Sequence, residues 1–164
     1  MKARPGGLPE NASVESIGRL LTKPEHIKDL FQSKDPTDNW VYSSVQPCHL
    51  YHALTIVAEF VAAAGSDSFA LVVEASDFDT DTVPSTDFSP ICGLVKVSSG
   101  PPEVQPMIVT VPASGSTGTV RRRFTLPLQG AKSFRVGIMK NSGTITAISI
   151  DTCLHQHSAI GWAS

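Results

Sequence analysis

The stretch that decides the fold class spans residues 132–150 and reads KSFRVGIMKNSGTITAISI. Phe134, Val136 and Ile138 alternate with polar or small residues, which is the pattern of a strand that buries one face. The turn signal Asn-Ser-Gly follows at residues 141–143, and a second apolar, β-branched run then returns to the end of the stretch. This pattern predicts a β-hairpin, and a hairpin implies an antiparallel sheet.

Upstream, short runs of β-branched or aromatic residues are separated by clusters of Gly, Pro, Ser and Asp. The runs lie at residues 40–45, 69–75, 91–97, 107–111 and 119–126, ahead of the two at 132–140 and 144–150. Strands at spacings of roughly 8 to 15 residues are typical of an antiparallel sandwich or barrel rather than of βαβ units. We therefore expect a mainly β domain, an antiparallel β-sandwich.

One segment predicts a helix instead. Its apolar residues are spaced four, three, four and three apart, which places them on one stripe of a helix, and Gly65 is well placed as the C-terminal cap. These residues are Leu50, Leu54, Val57, Val61 and Ala64. Residues 50–64 are thus expected to form the longest helix of the domain.

The N-terminal part predicts short amphipathic helices behind an extended arm. The first ten residues are rich in Gly and Pro, which favours an arm. Ser13 is a suitable N-cap, and the apolar residues between it and Pro24 share one face. A second short helix is expected at residues 24–34. The predicted division is an arm with short helices at residues 1–36 and a sandwich at residues 37–164.

The composition fits one domain with little charge. The chain has 164 residues, of which 41% are hydrophobic and 17% charged, against about 25% charged in an average soluble domain. The low charge suits a protein whose surface is largely covered by neighbouring subunits. The net charge of −2 and the pI of about 6.2 leave no global positive field to attract nucleic acid or an anionic membrane. No segment reaches the roughly 18 to 20 continuous apolar residues that span a bilayer, so we expect no membrane partner.

The cysteines indicate neither a disulfide framework nor a zinc finger. There are three of them, Cys48, Cys92 and Cys153, and no two form a CxxC pair. A reducing compartment is the simpler expectation.

Other residues that commonly carry chemistry do not form a complete constellation. The sequence Gly-Ser-Thr-Gly at residues 115–118 is not the GxSxG pattern of a nucleophile elbow and favours a flexible loop. Asp77, Asp79 and Asp81 alternate like calcium ligands, but the glycine and the distal glutamate of a calcium loop are missing, which favours a solvated loop.

Two histidine pairs have the spacing of metal ligands. His49 and His52 stand three apart, and His155 and His157 would face the same side of a strand. Neither pair has an obvious carboxylate to orient its rings, so surface or interface histidines are the favoured interpretation. We predict no catalytic residue, no cofactor and no metal site, with a metal at His155 and His157 as the open alternative.

Arg121-Arg122-Arg123 is the only basic run. On a strand, Arg121 and Arg123 would point to one face and Arg122 to the other. The run is too small to supply the phosphate contacts of a dedicated nucleic-acid binder. Its expected roles are salt bridges at an inter-subunit face or protection of an edge strand by charge.

Three landmarks, in order along the chain, resemble capsid proteins of picorna-like viruses. Residues 12–21, ASVESIGRLL, are similar to the motif that precedes the jelly roll in that family. Residues 50–66 resemble its helix that ends at Gly-Ser and leads into a strand, with Ala64 in place of the family's arginine. Residues 106–112, PMIVTVP, resemble its strand that ends in "VPY", with Ala113 in place of the aromatic residue.

This resemblance implies a jelly-roll coat protein without enzymatic activity. Such a subunit assembles with copies of itself, or with related subunits, into an icosahedral shell around an RNA genome. The implied location is the virion, with assembly in the host cytoplasm and at most weak, non-specific contact with the RNA. The alternative is a monomeric β-sandwich binding module that recognises carbohydrate or peptide through its loops, and size in solution discriminates the two.

Overall fold

A computed structural model describes residues 25–49, 51–78, 85–96 and 98–156. These residues form strands and a 3₁₀ turn at Ser85–Asp87, and none of them forms a helix long and apolar enough to cross a membrane. The strands are β1 (Glu25–Lys34), β2 (Val41–Tyr42), β3 (Gln46–Pro47), β4 (Ala53–Ala62), β5 (Ser68–Ser76), β6 (Ser89–Pro90), β7 (Cys92–Val95), β8 (Glu103–Pro106), β9 (Ile108–Pro112), β10 (Gly118–Pro127), β11 (Ser133–Ser142) and β12 (Ile145–His155).

The strands make two antiparallel sheets and one two-stranded ribbon. Sheet A has the order β1-β12-β4-β10. In sheet B, β11 pairs with β2 and β3 on one side and with β5 on the other, and β5 pairs in turn with β6 and β9. The remaining strands, β7 and β8, pair with each other and form what we call the ribbon. The chain passes back and forth between sheets A and B as it runs from β1 to β12.

The two sheets pack face to face around one apolar core. Phe60 of sheet A and Phe69 of sheet B meet edge to face, with their ring centroids 5.3 Å apart, and both are almost fully buried. The other largest fully buried side chains come from both sheets and from the turn after β10: Leu54, Ile56, Leu71, Val73, Leu128, Phe134, Ile138, Ile148, Ile150 and Leu154. The prediction of a mainly β, antiparallel sandwich is confirmed at this level.

The helix predicted at residues 50–64 is wrong, because strand β4 occupies Ala53–Ala62. Every second residue from Leu54 to Ala62 is buried, whereas Glu59 and Val61 between them are exposed. The predicted helix included Val57 and Val61 in its apolar stripe, but both side chains face away from the core. β10 and β12 flank β4 and supply the backbone hydrogen bonds that a helix would have formed internally.

The helix predicted at residues 24–34 is also wrong, because β1 forms there and pairs with β12. Its register shifts twice, and Asp29 and Ser33 have positive φ angles of 54° and 46°. These bulges turn two successive side chains, Leu30 and Phe31, toward the core, which a regular strand cannot do. The apolar residues of this irregular strand are therefore spaced in a way that resembles the apolar spacing of a helix.

Two expectations for the N-terminal part remain predictions. The arm and the first short helix lie within residues 1–24, outside the described residues. The division after residue 36 places Glu25–Lys34 with the arm, whereas that segment is an edge strand of sheet A.

The strands predicted at residues 132–140 and 144–150 are confirmed as β11 and β12, but they do not form a hairpin. β11 belongs to sheet B and β12 to sheet A, so the turn between them crosses the edge of the sandwich. Gly143 adopts a φ of 69°, and the Asp67 carboxylate occupies the position that a side chain on Gly143 would need. Turn residues predict a reversal of the chain, but the sheet that receives the next strand depends on the packing around the turn.

Two further turns meet at this end of the sandwich through a pair of glycines. The Gly115 amide donates to the Gly65 carbonyl at 2.9 Å, and a Cβ on Gly65 would lie 2.5 Å from Gly115 Cα. Because the obstructing atoms are backbone, they cannot rotate away. Close packing of two loops therefore requires glycine at residue 65.

Gly65→Ala is expected to destabilise the protein by about 1–3 kcal/mol, because the added methyl group must push the two turns apart. Chemical denaturation followed by circular dichroism measures the change. Gly100→Ala is the matched control: nothing lies within 4 Å of a Cβ at Gly100, so its stability should stay within about 0.5 kcal/mol of the parent. Equal stability of both variants would show that the two turns do not touch in solution.

Candidate assembly interface

The ribbon has one apolar face. In its register, Cys92 lies opposite Pro106 and Leu94 opposite Val104. Because side chains alternate along a strand, these four residues share one face. Gly93, Val95, Glu103 and Gln105 share the other face.

The apolar face is directed away from the sandwich. Leu94 is 76% exposed and Val104 69% exposed, the highest values among the large hydrophobic side chains described. On the opposite face, a Cβ on Gly93 would contact the Met107 side chain, which packs on the core. The ribbon thus turns Gly93 to the body and the side chains of Leu94 and Val104 to the outside, while Val95, on the same face as Gly93, is 44% exposed.

The base of the ribbon is tied to the sandwich by hydrogen bonds. The Met107 amide donates to the Ile91 carbonyl at 2.8 Å, and Gln129 Nε2 donates to the Cys92 carbonyl at 2.7 Å. Beyond this base the ribbon has no third strand among the described residues. An isolated two-stranded ribbon is marginally stable in water, so its exposed face is suited to being covered.

The apolar surface continues from the ribbon onto sheet B. Val104, Pro106 and Ile108 alternate with residues that face the other way, and Ile108 on edge strand β9 is 54% exposed. The sequence pattern predicted a strand at residues 91–97 but not β8. The available signal was the Gly-Pro-Pro turn at residues 100–102 between two short apolar runs.

No family model matches the chain, and no curated protein matches it. Among solved structures, it is similar to a cleaved adhesin domain of Lys-gingipain from Porphyromonas gingivalis, with 12% identity, coverage of 81% of this chain and 73% of that one, and a TM-score of 0.41. It is also similar to a chain of the infectious bursal disease virus Gx strain, with 11% identity, coverage of 84% of this chain and 34% of that one, and a TM-score of 0.38. Likenesses at this level carry no information about function.

The arginine run lies on β10, an edge strand of sheet A, as predicted for a charged edge. Arg122 turns toward sheet B, where Nε donates to the Pro112 carbonyl at 3.0 Å and Nη2 donates to the Ala113 carbonyl. This side chain closes the gap between β10 and the end of β9. Arg121 and Arg123 are exposed, and Arg121 lines a small cleft together with Glu59 and two aspartates.

The outer face of sheet A carries a polar row near the end of β12. His155 Nε2 lies 2.9 Å from Thr55 Oγ1, which is itself 2.8 Å from Thr125 Oγ1. Next to this row, the Cys153 sulfur lies 3.7 Å from His26 Nε2. Burial raises the pKa of the Cys153 thiol, and the nearby Arg123 charge only partly opposes this.

Within the described residues, the side chains that were considered as metal ligands do not gather into one group. His49 is exposed, the His52 amide donates to the His155 carbonyl at 3.0 Å, and Asp77 is exposed at the end of β5. Across the described ranges, no group of three or more His, Cys, Asp or Glu side chains is placed to hold a metal ion. His157, Asp79 and Asp81 lie outside these ranges, so the alternative of a metal at His155 and His157 stays open.

A charged cluster that the sequence did not predict lies on the outer face of sheet B. Arg135 Nη2 lies 2.6 Å from Glu74 Oε2, and its guanidinium stacks over the rings of Tyr42 and Phe88 at 4.0 and 4.4 Å. The Tyr42 hydroxyl donates to Glu74 Oε1 at 2.9 Å. Burial raises the pKa of the Tyr42 phenol, and the hydrogen bond to Glu74 raises it further. The cluster satisfies its own charges, which indicates a structural role.

A cleft opens at the end of the sandwich opposite the Gly65 turn. Its volume is about 260 Å³, and Phe78, Asp77 and Asp87 are among the residues that line it. The Phe78 ring is 53% exposed. An exposed aromatic ring beside carboxylates is a chemical surface that suits a sugar or a peptide.

Cys48 is not available to react. It is almost fully buried and donates a hydrogen bond to the Ala131 carbonyl at 3.3 Å. Burial raises the pKa of its thiol to about 12. Cys92 is half-buried, and its thiol donates to the Pro90 carbonyl at 3.3 Å.

Proposed function

We propose that this chain is a structural subunit that assembles with copies of itself, or with related subunits, into a viral shell. On this proposal the shell is icosahedral and encloses an RNA genome, and the protein is located in the virion. The observation that carries the proposal is the apolar face of the ribbon, which no other part of the described chain covers. Large exposed apolar patches on soluble domains mark interaction sites.

The strand order supports a jelly roll as the finer description of the fold. The chain forms these two sheets with eight segments, if the short strands β2 and β3 count as one. Sheet A contains β1, β12, β4 and β10, and the segments of sheet B are β2–β3, β11, β5 and β9. An eight-stranded double-sheet roll is an architecture that viral capsids and lectins share. The fold therefore favours a protein that assembles with other subunits or binds a ligand. The features of its surface distinguish these two functions.

We assign the chain no catalytic activity. Among the described residues, the arrangement best suited to chemistry is the Cys153–His26 pair, but catalysis by cysteine requires the thiolate. Burial raises the pKa of Cys153, so the thiol stays protonated at neutral pH.

Contact with RNA is proposed to be weak and non-specific. Arg122 is engaged by backbone carbonyls, which leaves Arg121 and Arg123 as the exposed cations of the run. Arg121 lies close to Glu59, so its charge is partly offset. Two such groups neutralise few phosphates and release few counterions.

Light scattering and electron microscopy of the purified chain test the proposal. We expect large symmetric particles, or a mass that rises with protein concentration, because many modest contacts act together in a shell. A strictly monomeric species at high concentration, under several pH and salt conditions, would contradict it.

The cleft beside Phe78 favours a second candidate function, a monomeric module that binds carbohydrate or peptide. A monomer that binds a glycan or peptide array and loses that binding on Phe78→Ala would establish this alternative. A monomer without such binding would support neither candidate.

A further inference from the structure

We infer that residues 1–9, a basic segment outside the described residues, dock in the cleft beside Phe78 of the same chain. We call this site the Phe78 cleft. It is then a site for a cationic peptide, and the chain itself supplies the occupant. Docking within one chain needs no second copy, so it does not rest on the proposed assembly.

The Phe78 cleft is acidic and aromatic. Asp77 and Asp87 are exposed residues of its lining, and the Phe78 side chain is 53% exposed. None of the described residues that line the cleft is a Lys, Arg or His, and neither aspartate forms an ion pair with another described residue. Two carboxylates without a described cation, beside an exposed ring, favour a ligand that carries positive charge.

Next to the cleft, the chain already holds an arginine by these two kinds of contact. The Arg135 guanidinium stacks over the rings of Tyr42 and Phe88, and its Nη2 lies 2.6 Å from Glu74 Oε2. Phe88 directly follows Asp87, which lines the cleft. Arg135 is engaged in its own cluster, so a cation for the Phe78 cleft has to come from elsewhere.

Residues 1–9 carry the matching charges. They read MKARPGGLP, with Lys2 and Arg4 and no acidic residue. A planar guanidinium can stack on a ring and pair with a carboxylate at the same time, and the lysine supplies a second cation for the second carboxylate. Two positive charges thus stand against Asp77 and Asp87.

The N-terminal segment joins the sandwich at the end where the cleft opens. The Tyr51 hydroxyl donates to Oε2 of Glu25, the first described residue, at 2.9 Å. The Tyr51 amide donates to the Cys48 carbonyl at 2.8 Å, and the Cys48 thiol donates at 3.3 Å to the carbonyl of Ala131, which lines the cleft. A short series of contacts therefore links the start of β1 to the cleft.

The intervening residues 10–24 are long enough for residues 1–9 to reach the cleft. Fully extended, they span up to about 50 Å, which exceeds the diameter of roughly 40 Å of a domain of this size. A ligand tethered by a short linker meets its site at about millimolar concentration, far above that of a second copy in micromolar solution. The cleft is therefore occupied from its own chain, and an outside glycan or peptide has to displace this segment.

Cross-linking of the full chain with a carbodiimide tests the docking, because this reagent joins an amine to a carboxylate only where the two meet. We expect mass spectrometry to find Lys2 joined to Asp77 or Asp87. In an equal mixture of isotope-labelled and unlabelled protein, the joined peptides should come from one and the same chain. Arg4→Gln and Phe78→Ala should each lower the yield about two- to fivefold, because each removes the stacking of a cation on a ring.

Arg19→Gln is the matched control, since it removes an arginine from the same N-terminal part but outside residues 1–9. It should leave the yield unchanged. Asp38 is the reference carboxylate, because it is exposed and comes after the end of β1 that lies opposite Glu25. Lys2 should be joined to Asp38 much less often than to the aspartates of the cleft.

Three results would overturn the docking. Lys2 joined equally often to Asp38 and to the cleft would show a random encounter. Equal yields for Arg4→Gln and Arg19→Gln would show that Arg4 does not bind there. Joined peptides that combine labelled and unlabelled chains would show that the segment reaches a second copy instead of its own cleft.

Discussion

A chain that lacks residues 1–34 is expected to be largely unfolded. The deletion removes β1 together with Leu30 and Phe31, both of which are buried in the core. Loss of two such side chains costs roughly 5–10 kcal/mol, which is comparable to the whole stability of a typical domain. The deletion also removes the strand that pairs with this side of β12. In that pairing, Phe31 lies opposite Ile150 and Lys34 lies opposite Ile148. Circular dichroism and thermal unfolding measure the loss.

A chain that starts at residue 25 is the control for this deletion. It keeps both sheets and the ribbon as described, so we expect it to remain folded. If the chain without residues 1–34 unfolds at the same temperature as this control, β1 does not belong to sheet A. An N-terminal arm that serves assembly rather than folding can therefore include residues 1–24 but not β1.

Phe60→Ala is expected to lower the free energy of unfolding by about 3–5 kcal/mol. The ring is almost fully buried and meets Phe69 across the space between the sheets, so its loss leaves a cavity at the place where sheets A and B touch. Denaturation in guanidinium chloride, with the slope of the transition compared to that of the parent, measures the change.

Phe78→Ala is the matched control, since it deletes the same side chain from an exposed site. We expect its stability to change by less than about 1 kcal/mol. Similar losses for the two variants would mean that Phe60 does not lie in a packed core. They would also contradict the face-to-face arrangement of the sheets.

Local chemistry predicted most of the strands in the second half of the chain. Runs such as residues 69–75 and 119–126 have the alternation and the turn residues that a strand needs whatever its neighbours are, and they became β5 and β10. At β4 the local pattern was ambiguous, because its apolar residues occur at spacings compatible with both a helix and a strand. Only the strands on its two sides decided the outcome.

The candidate interface was partly visible in the sequence. Apolar residues at 94, 95 and 104 could be read from it, but whether they are buried depends on what packs on them. The fold leaves the ribbon without a third strand among the described residues, and so their exposure is a tertiary property. The Glu74–Arg135 pair was missed for a similar reason, because 61 positions separate the two residues along the chain and adjacent strands unite them.

By itself, the sequence determined that this protein is mainly β, that its cysteines form no CxxC pair and that its arginine run has two faces. These properties depend on residue type and on spacings of a few positions, where sterics and turn chemistry act. The tertiary structure alone decided that β11 and β12 enter different sheets, that bulges in β1 bury Leu30 and Phe31, and that the ribbon shows an apolar face to the outside. Each of these depends on contacts between residues far apart in the chain, whose energies no local pattern encodes.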